Sequence, residues 1–307
     1  MTLAVLLSGQ GGQHPGMFDL TAESPAAAPV FAAAERVLGR DPRDLVRAPG
    51  ADLHGNRTGQ ILCCVAALAG WTIVEAAGAV RTVVAGYSIG DLAAWGCAGR
   101  FDAEAILRLA AARAEAMDTA AGDGAGLAGI RGLRLAEIEA IAGRYGAHLA
   151  IRNADDSAVV GGPRPALEDI CAAARAAGAQ RAVILSVRTP SHTPLLRDAS
   201  RAFADALAAE HSQRPPRGAP RLLSGLDGAP VFDAGAGLSK LADQISQTID
   251  WAACLTACRE YGCDTVLELG PGHALATMAR NAIPGARVHA LEEFRSAIGV
   301  AQWIEAA

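Results

Sequence analysis

The chain's first chemical signal is Gly86-Tyr87-Ser88-Ile89-Gly90, a G-x-S-x-G pattern. It directly follows the apolar run Val80–Ala85, and a short helix-like stretch, Asp91–Ala98, comes next. Strand, turn and helix are the setting in which this pattern forms a nucleophile elbow. The serine sits on a sharp turn, the glycines leave room for crossing backbone, and the helix N-terminus aims amides at a developing oxyanion. Serine is a weak nucleophile at neutral pH and needs a general base. Two histidines compete for that role. His192 follows a strand-like run, 180–187, across a short turn. His273 completes the chain order Ser88, Asp264, His273, which is the triad order of an α/β-hydrolase and of a serine esterase. His14, His54, His148, His211 and His289 read as loop or surface residues. The residues alone leave both bases open.

An oxyanion hole requires two donors. The N–H of Ile89, immediately after the serine, offers one. The glycine-rich turn Ser8-Gly9-Gln10-Gly11-Gly12-Gln13 offers the other through the Gln10 N–H, provided that its strand neighbours the elbow strand.

Arginine is the default cation of this chain, so an individual arginine needs a positional argument. In the helix-like stretch 103–121, Arg113 has Leu109, Ala110, Ala116 and Met117 one turn away, which places it on the apolar face. Arg108 neighbours Glu104 and reads as solvated. A guanidinium on a buried face calls for an anion, best a carboxylate held bidentately. That carboxylate belongs either to the protein core or to a substrate.

The elements that must position these groups alternate in type. Residues 3–7, 80–85, 221–224 and 264–269 read as strands, and 26–38, 58–78, 103–121 and 194–210 as helices; helical segments fill 237–261, and a final helix starts near Ala274. Strands alternating with helices predict a parallel sheet covered on both faces. After Gly122-Asp123-Gly124 the texture changes to short pieces, 127–131, 135–145, 147–152, 157–161, 164–177 and 180–187. Their order is βαββαβ, that of a ferredoxin-like unit. The expected architecture is an α/β-hydrolase-like core over 1–124 and 190–307, with the nucleophile elbow, and an inserted ferredoxin-like small domain over 125–189.

Composition sets the remaining bounds. With 51% apolar residues, the chain can build a substantial core, and its net charge of −5 offers no global attraction to nucleic acid or an anionic membrane. No apolar stretch reads as long and clean enough to span a bilayer, and the N-terminal run is too short for a signal peptide. The seven cysteines show no paired framework and no CxxC. Cys254, Cys258 and Cys263 lack a nearby histidine, so buried thiols in a cytoplasmic protein are expected rather than a metal site.

Five ordered motifs resemble malonyl-CoA:acyl-carrier-protein transacylases. They are Ser8–Gln13 with Pro15-Gly16-Met17, the elbow 86–90, Arg113 in a helix 25 residues after the serine, Thr189-Pro190-Ser191-His192, and Glu268-Leu269-Gly270-Pro271-Gly272. The resemblance spans essentially the whole chain. It implies a Ser88–His192 dyad working by ping-pong transfer, with Arg113 holding the free carboxylate of malonyl. It further implies malonyl-CoA as substrate, no bound cofactor or metal, and a small acyl-carrier protein as partner. A backbone carbonyl just before a tryptophan orients the dyad histidine in that family, and the matching position is Asp250, before Trp251. Tyr87 stands where the fatty-acid enzymes usually carry histidine. Together with Gln13–Asp19 and His192–Leu196, it is more similar to the malonyltransferase (epsilon) subunit of malonate decarboxylase. There the carrier subunit bears a phosphoribosyl-dephospho-CoA arm rather than a phosphopantetheine-type one, and other decarboxylase subunits are possible partners. A docking subunit with a vestigial site is the non-enzyme alternative.

Overall fold

The structure is a computed structural model that describes residues 2–78, 81–122 and 124–306. Val80, the expected start of the elbow strand, and Asp123, at the change of texture, lie outside the described residues. The first half of the chain runs β1 (Leu3–Leu7), α1 (Ala28–Leu38), α2 (Pro42–Leu45), α3 (Asn56–Ala76), β2 (Thr82–Gly86), α4 (Ile89–Cys97) and α5 (Ala103–Ala121). A compact excursion follows: β3 (Ala125–Arg131), α6 (Leu135–Arg144), β4 (His148–Ala154), β5 (Ser157–Pro163), α7 (Arg164–Ala176) and β6 (Arg181–Ile184). The remainder is α8 (Arg197–Ala209), β7 (Arg221–Leu222), α9 (Ala234–Asp243), β8 (Ile249–Asp250), α10 (Trp251–Glu260), β9 (Thr265–Leu269), α11 (Ala274–Ala282), β10 (Arg287–Ala290) and α12 (Ala297–Glu305).

The large sheet has the order β10-β9-β1-β2-β7, and every pairing is parallel. β1, Leu-Ala-Val-Leu-Leu, is buried at every position, as a central strand covered on both faces must be. Its register decides the geometry of the site: Leu7 lies opposite both Gly86 and Leu269. The turns that follow β1, β2 and β9 therefore leave the sheet at one carboxyl edge, where open α/β sheets place their ligands.

The second sheet has the order β6-β3-β5-β4-β8. Its first four strands are antiparallel neighbours in the ferredoxin-like arrangement, with α6 and α7 packed on one face over Ile130, Ile138, Val160, Leu167 and Ile170. The other face shares a core with the large sheet, where Leu127, Ile151 and Val159 fall in one cluster with Trp251 and Leu255 of α10 and with Leu6, Val83 and Val266 of the large sheet. The fold is thus an α/β-hydrolase-like core with a small ferredoxin-like unit.

Three local expectations change. The helical segments of 237–261 are separated by a strand, because Ile249 and Asp250 form β8, which pairs with Ile151 and Arg152 of β4 and extends the small sheet. Beyond α11 the chain adds β10 and α12, which weak alternation over a few residues left unread. Helix α3 does have the length and composition of a membrane span. It is instead a core helix, covered by α1, α4, α5 and α12. All seven cysteines are free and buried.

Candidate active site

Ser88 caps the N-terminus of α4 with φ 56° and ψ −120°. Among the described residues only Ser88 and His192 combine a side chain with positive φ. Such strain persists where surrounding structure over-determines it, and it clusters at functional sites. Sterics explain the two elbow glycines. A Cβ on Gly86 would lie 2.0 Å from the Gly90 carbonyl carbon, and one on Gly90 would lie 2.1 Å from the Leu7 oxygen. Any side chain at either position would force β1, β2 and α4 apart.

The glycine-rich turn after β1 folds over the elbow. A Cβ on Gly9 would stand 2.9 Å from the Tyr87 oxygen and 3.5 Å from Ser88 Cβ. Gln13 holds this turn, accepting from the Gly11 N–H and donating to the Leu53 carbonyl. The turn therefore lies where the oxyanion-hole argument requires it. Among the described residues, no hydrogen bond runs from the N–H of Gln10 or of Ile89 to a protein acceptor.

The structure separates the two candidate bases. His192 Nε2 lies 2.8 Å from Ser88 Oγ. His192 is 1% exposed, and its own N–H donates to the Ile245 carbonyl at 2.8 Å. Its Nδ1 bonds the main-chain carbonyl of Gln244. A carbonyl can only accept, so Nδ1 carries the proton and Nε2 is left to accept from the serine hydroxyl. Burial, joined by the positive charge of Arg113, lowers the imidazole pKa to about 3 against the pull of the Gln244 carbonyl. His273 is exposed at the start of α11. Asp264 bonds the Thr2 N–H at the amino edge of the sheet, with the length of β9 between it and the carboxyl edge where Ser88 sits. The triad of Ser88, Asp264 and His273 is therefore excluded, and with it the esterase reading built on that triad.

The Asp250 carbonyl is corrected in the same way. The carbonyl that meets His192 belongs to Gln244, six residues earlier in the chain. Asp250 instead caps α10, accepting from the Ala253 N–H, and its other oxygen takes Arg152 Nη1 at 3.2 Å. The assignment came from the resemblance, which counts back from Trp251; the carbonyl that reaches His192 lies instead at the C-cap of α9.

Arg113 lies on the inner face of α5 and is 1% exposed. Its Nη1 donates to Gln60 Oε1 at 2.7 Å, and its Nη2 is buried with no partner. Burial lowers its pKa to about 10. Among the described residues, no carboxylate forms a salt bridge with it, which removes the core ion pair as its explanation. Arg108, by contrast, pairs with Glu104 and Glu210 at the surface. Gln60 escaped the sequence reading, although a lone amide within the apolar run of α3 was a usable signal. Asn153, which accepts from the Tyr87 hydroxyl at 3.2 Å, gave none.

Known proteins are similar to this chain over nearly its full length. The chain is 28% identical over 299 residues to a malonyl CoA-acyl carrier protein transacylase of Salmonella typhimurium, covering 94% of this chain and 96% of that one. An acyl-carrier-protein S-malonyltransferase from Burkholderia pseudomallei superposes with a TM-score of 0.90 at 28% identity, covering 98% of this chain and all of that one. A type II polyketide acyl-carrier protein in complex with its malonyl-transacylase gives 0.91 at 27% identity, covering 98% of this chain and 99% of the other. The sequence profile of the acyl transferase domain matches residues 5–287, so the elbow, His192 and the buried arginine all fall inside it, and the chain belongs to the acyl transferase family, as an acyltransferase enzyme.

Proposed function

We propose that the chain moves a malonyl group from malonyl-CoA to the thiol of a carrier's prosthetic arm through an ester on Ser88. The observation that carries this reading is the unpartnered Nη2 of Arg113. A buried guanidinium with one hydrogen bond and no carboxylate is costly until an anion arrives, and the free carboxylate of malonyl supplies that anion in bidentate geometry. The transacylase relatives support the same acyl group.

In the first half-reaction Ser88 Oγ attacks the thioester carbon while its proton passes to His192 Nε2. The oxyanion is met by the N–H groups of Ile89 and Gln10. The C–S bond then breaks, and the CoA sulfur leaves with the proton from His192. The second half-reaction repeats these steps in reverse with the carrier thiol. The Gln244 carbonyl stabilises the imidazolium in both halves, the part that an acid plays in a triad. No step requires a metal or a resident cofactor.

A phosphopantetheine-bearing acyl-carrier protein is the acceptor this reading favours, in keeping with the carrier complex formed by the structural neighbour. Tyr87 supports a second acceptor, the malonate decarboxylase carrier subunit with its phosphoribosyl-dephospho-CoA arm, and then docking to other subunits of that enzyme. Its hydroxyl bonds Asn153 and its ring meets Trp251 edge-on at 5.3 Å, so the elbow is tied to the small sheet by a residue that resembles that branch. Radiolabelled malonyl-CoA tests both levels. The protein becomes labelled in the absence of a carrier, and the label then passes to one of the two purified carriers at least about tenfold faster than to the other. An unlabelled protein would refute the acyl-enzyme.

The pH dependence of acylation is a separate expectation. Because burial holds the His192 pKa at about 3, the imidazole stays in its basic form far below the usual histidine range. The acylation kcat/KM should not fall as pH is lowered from about 7 to about 5, without the acid-side break near 6.5 of an unperturbed histidine. The same depression makes neutral His192 a stability term. It is fully present above about pH 6.5 and is lost as pH falls toward the folded value, because the unfolded chain binds the proton first. A pH–rate profile that falls on the acid side of an ionisation near 6.5 would contradict this account of the base.

A further inference from the structure

Beneath the elbow lies a carboxyl that the mechanism above does not use. Asp91 stands in the first turn of α4, three residues after Ser88, and is 1% exposed. Its Oδ2 accepts from the Gly225 N–H at 2.9 Å and from Gln244 Nε2 at 2.7 Å. Gln244 is fully buried, and its main-chain carbonyl is the one that bonds His192 Nδ1. Asp91 therefore grips by its side chain the residue that orients the base by its backbone.

Two oxygens of this pair lack a donor: Asp91 Oδ1 and Gln244 Oε1. An orphaned buried acceptor costs about 1–3 kcal/mol, and more when it is charged. Two acceptors cannot satisfy each other, but a proton on one satisfies both. A carboxylic acid and a primary amide then form a closed ring of two hydrogen bonds, N–H to one carboxyl oxygen and O–H to the amide oxygen.

We propose that Asp91 is held as the neutral acid, bonded through both oxygens to the Gln244 amide, and that this ring is the positioning device that aims the Gln244 carbonyl at His192. The inference rests on the Ser88–His192 reading of the site. The surroundings of Asp91 agree with it. Arg113 of α5 favours the ionised form, as do the N–H of Gly225 and the Gln244 amide; Asp227, in the loop after β7, opposes it, and the Cys254 thiol of α10 also faces the carboxyl. Burial outweighs these and raises the carboxyl to about 7. An ionised Asp91 would leave Gln244 Oε1 without a donor, so the ring tips the balance further toward the acid.

The test is single-turnover acylation by malonyl-CoA in Asp91 and Gln244 variants. Asp91→Ala should slow acylation by about 10- to 100-fold with little change in KM, the loss expected of a base displaced by a fraction of an ångström. Asp91→Asn should restore most of that loss, because its carbonyl accepts from Gln244 Nε2 and its amide donates to Gln244 Oε1. Gln244→Met keeps the main-chain carbonyl but removes the ring. It should resemble Asp91→Ala, and the double variant should be no slower than either single one. An infrared band of a protonated carboxylic acid should be present in the wild type near neutral pH and missing from Asp91→Asn. If Asp91→Asn is as slow as Asp91→Ala, charge rather than the ring is at work and the proposal fails. It fails equally if Asp91→Ala acylates at the wild-type rate or if the band is absent. Should Asp91→Ala not fold, Asp91→Asn, Gln244→Met and the infrared band still decide. A wild type that takes no malonyl label would instead refute the proposed function, leaving the infrared test of the proton intact.

Discussion

Ser88→Ala should lose the covalent malonyl label altogether and lower the transfer rate by about four orders of magnitude or more. The size of the effect follows from the geometry. Among the described residues, Oγ alone is poised on a strained turn 2.8 Å from a neutral imidazole nitrogen, so no described neighbour takes its place. His192→Ala should reduce acylation to a similar extent, and the Ser88→Ala/His192→Ala double variant should be no worse than either single change. The two residues move one proton between them, and groups that act as a unit are not additive. His273→Ala is the informative control, since it removes an exposed imidazole at the far end of a loop and should leave acylation unaltered. Rapid-quench measurement of the labelled protein separates these outcomes. A normal burst of label in His192→Ala would move the base elsewhere and overturn the dyad.

How much of this site was legible in the sequence depended on whether each residue's role was local. Ser88, Gly86 and Gly90 act within a few residues of one another, so the strand–turn–helix pattern around them was enough. Arg113 was found by helical periodicity, because an i±3, i±4 neighbourhood is fixed by helix geometry whatever the fold. The βαββαβ order of the small unit was readable for the same reason. What escaped depends on contacts over long sequence separations. Gln244 reaches His192 through its backbone, which leaves no trace in residue type, and the resemblance placed that role six residues too late, at Asp250. Strand β8 has two residues and is strand only because β4 lies beside it. In the sequence Asp91 is only the first residue of a helix-like stretch. Its importance comes from Gly225 and Gln244, which are 134 and 153 positions away. Chain order pointed to His273 and the resemblance to His192. The structure chooses, because His192 Nε2 lies 2.8 Å from Ser88 Oγ and the register of β9 against β1 puts Asp264 at the opposite edge of the sheet.

Arg113→Met should reverse the preference for the acyl group without destabilising the empty protein. Truncating one partner of a buried charge pair costs about 2–5 kcal/mol. The kcat/KM for malonyl-CoA should accordingly fall by about 10² to 10³, whereas that for acetyl-CoA, which brings no carboxylate to the site, should be unchanged or rise. Stability distinguishes this reading from a structural one. Were Arg113 part of a core ion pair, its removal would strand a buried carboxylate and cost about 3–5 kcal/mol. Here Nη2 has no partner, and desolvation of the guanidinium outweighs the opposing influence of Cys64 and Asp91, which lowers its pKa to about 10. Methionine fills a similar volume without that penalty, so the melting temperature of the ligand-free variant should equal or exceed that of the wild type. Malonyl-CoA should then raise the melting temperature of the wild type and leave that of the variant nearly where it was. Arg113→Lys tests the geometry rather than the charge. An ammonium cannot hold a carboxylate with two parallel bonds, so part of the loss should remain. If instead Arg113→Met melts well below the wild type while the ratio of malonyl to acetyl transfer is unchanged, the guanidinium braces the core through Gln60 and selects nothing.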